Sequence, residues 1–485
     1  MNRLSSLEAA EKVVYLTIQD FNEKWAGRTL RGFAEAQEAL QRIFVLFHKC
    51  MTCLVSIFLR GIILNATKFC IATFLSNLGD IIYSVVIAWY IADVLQSGFL
   101  MGAVLFSLGL SRFIAGLLCG PVIDRIGAKL FLWLSDIIRA IIVLVLAILL
   151  WDHTISFVIL IMVSVLFGAI DAFYWSASES IKPRLVATEY LSRLNSQYFT
   201  VVRTTIILGP LIAAWMVESI SIERSLIAMS ILYVFSTFSI LFVDCKNSHL
   251  ENMNDNNDNT SYFSDLRLGF SFLNRQKMIF YLVITMFFVN IGANGVNVLF
   301  PFLAKNVSDD AKYLGYIYSS MSMGSLLTGL IFSVKSIHKV ELKVIYFSFL
   351  LQAAGIAALC FTQNFFITLI FVFVIGLITG FIGVLIPTFV QHSVPIHLLG
   401  RVNSIMMAIS MLSTPVAQFI FGVSVDYFNI KYLFFIAGAL GIVTSLSSLL
   451  INERKGAPRE TVMVLTVSGA VIFAFRYGTS LFEAA

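Results

Sequence analysis

Charge is what this chain has least of. Asp, Glu, Lys and Arg make up 13% of its 485 residues, against about 25% in soluble globular proteins. At 59% hydrophobic residues and a mean hydropathy of +0.89, a soluble fold of this size has no way to hide its apolar surface, and the solvent that fits is a lipid bilayer. Cysteine is scarce too: six residues, scattered. Cys50 and Cys53 form a lone C-x-x-C with His48 nearby, but no second ligand pair follows, so no metal centre is expected. The histidines are isolated, and no Gly-rich loop ends in Gly-Lys-Ser/Thr. These gaps argue against an enzyme, against a bound cofactor and against ATP as a direct energy source. The net charge of +5 reads as Lys and Arg held in cytoplasmic loops rather than as a nucleic-acid surface. No cleavable signal peptide is evident, because residues 1–42 are charged and helical in pattern (Glu8, Glu11, Lys12, Glu35, Glu38, Arg42).

What is abundant is long apolar runs. A spanning helix needs about 20 mostly apolar residues. Twelve such runs lie near 67–92, 98–119, 130–151, 155–177, 196–217, 224–243, 278–302, 312–334, 342–362, 366–388, 403–424 and 431–452. The expected organisation is a cytoplasmic and interfacial extension (1–60), a first six-helix bundle (61–243), a polar cytoplasmic linker (244–277), a second bundle (278–452) and a tail with a short apolar segment (453–485). Short loops holding Arg125 and Lys129, Lys182, Arg184 and Arg193, and Lys335, Lys339 and Lys343 outweigh the opposite loops. That bias places the N-terminus in the cytoplasm.

The two halves repeat. Arg193 and Ser196 open the fifth run as Arg401 and Ser404 open the eleventh, and Glu218 then aligns with Asp426 without a gap. Asn77 and Gly79 in the first run match Asn290 and Gly292 in the seventh. Weak similarity between two six-span halves marks a duplicated transporter with its cavity between the halves. The fold class expected is therefore an all-α integral membrane protein of two six-helix bundles related by a pseudo-two-fold axis.

The loop after the second run holds Gly120, Asp124, Arg125, Gly127, Ala128 and Lys129. Gly120 would let two helices approach closely, Gly127 permits a tight reversal, and Arg125 and Lys129 anchor the loop. The fifth run holds Gly209, Pro210, Ala213 and Ala214. There a Gly-Pro step frees a backbone carbonyl, and small residues admit a neighbour. On these residues the chain resembles the major facilitator superfamily. The loop is similar to its Gly-x-x-x-Asp-Arg-x-Gly-Arg-Lys pattern with Ala128 for the second Arg, and the fifth run is similar to the Gly-Pro-x-x-Gly-Gly motif of antiporters with alanines at the end. The segments 183–196 and 395–404, with Asn77 to Asp80, resemble the macrolide-efflux and siderophore-exporter branch. The resemblance implies that Asp124 helps latch an outward-open state. The matching second-half loop has Ser333 where the acid belongs, so only one latch is complete.

Charges inside spans cost about 2.5–3.5 kcal/mol each on insertion scales and default to function. The first half holds Asp80, Arg112, Asp136, Arg139, Asp171 and Arg203, and the second half none at comparable depth. Asp136 and Arg139 are three apart and can share a face. Asp171 and Arg203, at similar depth on consecutive runs, are expected to pair. Asp80 stands near the midplane with no arginine expected at its depth. Asp80, Asp171 and Arg203 are thus the candidates for proton coupling, although balanced charges also fit a structural role. Asn290, Asn294 and Asn297 form one stripe of the seventh run that suits a polar cavity wall or interhelical hydrogen bonds. Tyr83, Trp89, Tyr174 and Trp175 offer stacking surfaces, of which Tyr83 and Trp175 are the leading candidates for the cavity.

The function expected is secondary transport in a bacterial plasma membrane, driven by the proton gradient, by a monomer that exports a small amphiphilic molecule (drug, siderophore or peptide metabolite). Its partners are the small-molecule substrate, protons and lipid. Uptake by symport, or a sensor or lipid translocator that has kept the fold without coupling, are the competing readings.

Overall fold

A computed structural model describes residues 65–152, 155–186, 188–243, 276–307, 310–334, 340–362 and 364–453. The chain divides into two compact units, Met1–Thr67 and Lys68–Ala485. The N-terminal extension with Cys50 and Cys53, nearly all of the linker, and the tail with its short apolar segment lie outside the described residues.

Among the described residues twelve α-helices follow one another: α1 (Asn65–Tyr90), α2 (Gly98–Ile126), α3 (Ala128–Trp151), α4 (Phe157–Leu185), α5 (Thr188–Ile220), α6 (Ile222–Leu241), α7 (Lys277–Val307), α8 (Lys312–Val334), α9 (Leu342–Ala358), α10 (Phe365–Ser393), α11 (Ile396–Val425) and α12 (Ile430–Glu453). No strand occurs among the described residues. Eleven of the helices are long and apolar enough to cross a membrane. The exception, α8, carries Ser319, Ser320, Ser322 and Ser325, small polar residues that pack against other helices rather than against lipid. Several helices start where the sequence supplies a cap. The Ser97 Oγ accepts from the Leu100 N–H at 3.3 Å, and the Asn364 Oδ1 accepts from the Phe366 N–H at 2.8 Å, satisfying amides that a first turn leaves open. At the other end of the bundle, Lys68 and Lys129 donate to the last carbonyls of α6, Phe242 O at 2.7 Å and Leu241 O at 3.1 Å, where a cation meets the negative end of the helix dipole.

The repeat seen in the sequence is a repeat in packing. Gly79 on α1 receives the Tyr233 ring of α6, and its counterpart Gly292 on α7 receives Ala437 of α12. Within the first half α4 lies along α2, with Gly168 against Leu108 and Ser111; within the second, α10 lies along α8, with Gly376 against Met321.

Candidate functional site

The halves meet chiefly along two helix pairs, α2 with α11 and α5 with α8. Gly102 and Gly422 press backbone to backbone: a Cβ on Gly102 would stand 2.9 Å from the Gly422 Cα, so neither position tolerates a side chain. On the other seam the antiporter-like segment forms the joint. A Cβ on Gly209 would meet Ile81 of α1 in its own half at 2.6 Å, while Pro210 O and Ala214 abut Gly315 of α8 in the other half. Ala213 is fully buried. The Ser319 hydroxyl of α8 donates to Ile207 O of α5 at 3.0 Å.

Three polar ties close the far end, where α1, α5 and α11 finish. Asp93 pairs with Lys305 and Glu218 with Lys312. The carboxylate of Asp426 accepts the Gly98 N–H at 2.6 Å and the Phe99 N–H at 2.7 Å, capping α2 from the opposite half. Glu218 and Asp426, matched in the repeat, therefore each hold the opening of the helix that crosses from the other half.

The basic-loop end is splayed. Gly120, Gly127 and Gly329 have no heavy atom within 4 Å of where a Cβ would lie. The close approach expected at Gly120 is thus absent. The chain reverses at Gly127 with φ 109°, and Arg125 is exposed. Asp124 lies in the last turns of α2, and its side chain is outside the described residues.

Inside the first half the buried charges form one cluster. Arg139, fully buried on α3, is its centre. Its Nη1 donates to Asp80 Oδ1 at 2.6 Å and to Asp171 Oδ1 at 3.4 Å. Its Nη2 donates to Asp136 Oδ1 at 2.6 Å and to Ser76 Oγ at 2.8 Å. The guanidinium carbon lies 4.4 Å from the Tyr174 ring centre and 4.8 Å from that of Tyr233, a cation between two aromatic faces. Tyr233 OH donates to Asp80 Oδ1 at 2.7 Å, and Ser236 Oγ donates to Asp136 Oδ2 at 2.6 Å. Arg112 Nη2 meets Asp171 Oδ2 at 2.7 Å. Three carboxylates (Asp80, Asp136, Asp171) thus face two guanidiniums (Arg112, Arg139), an excess of one negative charge. Asp80 is the least enclosed acid, 16% exposed against 0% for the other two, and its Oδ2 has no hydrogen-bond partner.

Three expectations are corrected here. Asp80 does have an arginine at its depth, Arg139. Asp171 pairs with Arg112 and Arg139, not with Arg203, because α4 lies along α2 rather than along its neighbour in sequence, α5. Arg203 is exposed, its guanidinium 4.8 Å above the Phe199 ring. Tyr83 also moves from the cavity to the core: it is 2% exposed and stacks on Phe167 at 4.1 Å. Trp89 is buried, and Tyr174 serves Arg139 rather than a cargo. Trp175 is half-buried, edge-on to Tyr198 at 6.5 Å. Asn290, Asn294 and Asn297 are half-buried along α7, with the Asn294 amide donating to Asn290 O at 2.9 Å. Ser76, Tyr233 and Ser236 were not foreseen; a lone serine or tyrosine in an apolar run carries no signal until its buried partner is known.

The family model of the Major Facilitator Superfamily matches residues 69–417, and the chain belongs to that family. It is a multi-pass membrane protein and a secondary transporter, not an enzyme. Among curated proteins it is similar to macrolide efflux protein A of Streptococcus pyogenes, 21% identical over 58% of this chain and 70% of that protein. Among solved structures it resembles the nucleoside transporter NupG, with a TM-score of 0.66 and 15% identity over 81% of this chain and all of that one. It also resembles the peptide transporter POT in complex with sulfate, with a TM-score of 0.56 and 11% identity over 80% of this chain and 94% of that one.

Proposed function

We propose that this transporter exports a small amphiphilic molecule in exchange for protons, with Asp80 as the group that loads and unloads the proton. The observation that carries the reading is the unbalanced cluster. Three carboxylates against two guanidiniums leave room for one proton, and Asp80 is the most exposed of the three acids, with an Oδ2 that accepts no hydrogen bond. Protonating Asp80 weakens its bond to Arg139, and that guanidinium is tied to α1, α3 and α4 at once. One proton on Asp80 therefore alters the packing of three helices.

With the basic loops in the cytoplasm, as the positive-inside bias requires, the described conformation opens inward and closes outward. Asp93, Glu218 and Asp426 hold the outer seam, and the loop of Gly120, Asp124, Arg125, Gly127 and Lys129 is the part left to latch the inner side when the halves rock. The small residues Gly209, Pro210, Ala213 and Ala214 let α5 pivot between α1 and α8. Asn290, Asn294, Asn297 and Trp175 are the polar and aromatic wall for the cargo. The protein works as a monomer in a bacterial plasma membrane, and the relation to a macrolide efflux protein favours the outward direction.

Everted vesicles with an acidified lumen test this. Erythromycin, carboxyfluorescein or rhodamine 6G, whichever is cargo, draws protons out of the lumen if exchange operates. A symporter moves protons and cargo into the cytoplasmic bath together, so added cargo slows proton loss, and that result would replace export by uptake. No response to any of the three would favour the sensor.

A further inference from the structure

Arg203 is an arginine within a span of the first half that the buried cluster does not use. It lies well inside the span Tyr190–Ile220, where a guanidinium facing lipid costs about 2.5–3.5 kcal/mol. The periodicity of α5 shows where it points. Ile207, Pro210, Ala214 and Glu218 meet α8, while Leu208 and Trp215 stand exposed on the outer flank. At about 100° per residue, Arg203 lies about 40° from Ile207 and about 140° from Leu208 around the axis. It therefore faces the gap between the halves.

Toward the splayed end the same stripe continues through Thr200, Ser196 and Ser192. With Leu191, Asn195 and Phe199 these line a recess of about 670 Å³. The Arg203 guanidinium, over Phe199, stands at the head of that recess. Among the described residues no carboxylate pairs with it. Glu218 on its own helix and Glu179 on α4 are engaged by Lys312 and by Lys182, the latter at 2.5 Å. The described acids of the second half, Asp310, Glu341, Asp426 and Glu453, all stand at helix ends.

An unpaired guanidinium within a membrane span, at the head of a recess lined by hydroxyls, an amide and a phenyl ring, defines one kind of ligand. We infer that the cargo carries an oxyanion, a carboxylate or sulfonate, that seats on Arg203 while its apolar body lies along Leu191 and Phe199 of the recess. This rests on the transport reading and narrows it: anionic amphiphiles are accepted, and cationic ones of equal size are disfavoured by the same arginine. The hydroxyls of Ser196 and Thr200 donate within their own helix, to Ser192 O and Ser196 O at 2.9 Å each, so selection falls to the charge and not to a hydroxyl donor.

Equilibrium binding of two dyes to the purified full chain, followed by fluorescence anisotropy, tests it without a proton gradient. Carboxyfluorescein is the anionic probe and rhodamine 6G the cationic one. Wild type binds carboxyfluorescein the more tightly. Arg203→Gln weakens that binding about tenfold or more, the worth of a charge-assisted hydrogen bond. Arg203→Lys restores part of it as a point charge, and Arg203→Glu reverses the preference toward rhodamine 6G. Wild type that fails to bind carboxyfluorescein, wild type that prefers rhodamine 6G, or an Arg203→Gln variant with unchanged carboxyfluorescein affinity overturns the inference. Because binding needs no gradient, dye discrimination that persists alongside absent proton exchange refutes coupling alone, and proton exchange that ignores Arg203 refutes the oxyanion alone.

Discussion

Replacing Arg139 with Met removes the centre of the buried cluster while keeping most of its volume. The wild-type cluster carries three carboxylates and two guanidiniums, a net charge of −1 when all are ionised. Without Arg139 the charge becomes −2, and Asp136, fully buried, is left with the hydroxyls of Ser76 and Ser236 alone. Breaking a buried pair by removing one partner costs about 3–5 kcal/mol. Unfolding entropy of about 2.1 cal/mol/K per residue gives roughly 1 kcal/mol/K for a chain of this length, so Tm falls by about 3–5 °C. Pairing the change with Asp136→Asn returns the cluster to −1 and recovers most of the loss. The assay is thermal unfolding of the purified protein in detergent, wild type against both variants. An Arg139→Met variant that melts with wild type, or a double variant that melts below it, refutes the charge balance on which the cluster rests.

Other outcomes follow from the seams. Gly102→Leu places a side chain where a Cβ alone would stand 2.9 Å from Gly422; spin labels at Val94 and Tyr427, exposed positions at the far end, should report a longer distance than in wild type, and an unchanged distance contradicts the seam. Asp426→Ala removes the carboxylate that caps α2 from the other half. An N-cap is worth about 1 kcal/mol, so the population closed at the far end should fall roughly fivefold relative to the open one in the same distance measurement. Raising salt from low to high should weaken the exposed Glu218–Lys312 tie and shift wild type the same way, with Glu218→Gln blunting that response.

The order and identity of the helices were legible in the sequence, because hydropathy reports membrane crossings directly. The ends were not. The second run was expected to stop at 119 and the fourth at 177, yet α2 reaches Ile126 and α4 reaches Leu185: a helix continues into water past the point where its apolar residues stop. The Asp136–Arg139 pair was legible from its spacing of three. The Asp80–Arg139 bond was not. At 1.5 Å per residue, Asp80 sits about 22 Å from the start of α1 and Arg139 about 16 Å from the start of α3, and the long arginine side chain covers the difference. The Asp171–Arg203 expectation failed because chain order is not spatial order: α4 is closer to α2 than to α5. The matched acids Glu218 and Asp426 were visible as a repeat, but their task at the seam required the partner helices to be in place.

The most direct test of proton exchange is a pair of fluxes through Asp80→Asn in proteoliposomes, using the dye that wild type moves. Exchange of labelled for unlabelled dye across the membrane at equal pH should continue near the wild-type rate, since the cavity is intact, while uphill accumulation driven by a pH step should vanish. Uphill accumulation that survives the loss of the Asp80 carboxylate would contradict the assignment of the proton to that group.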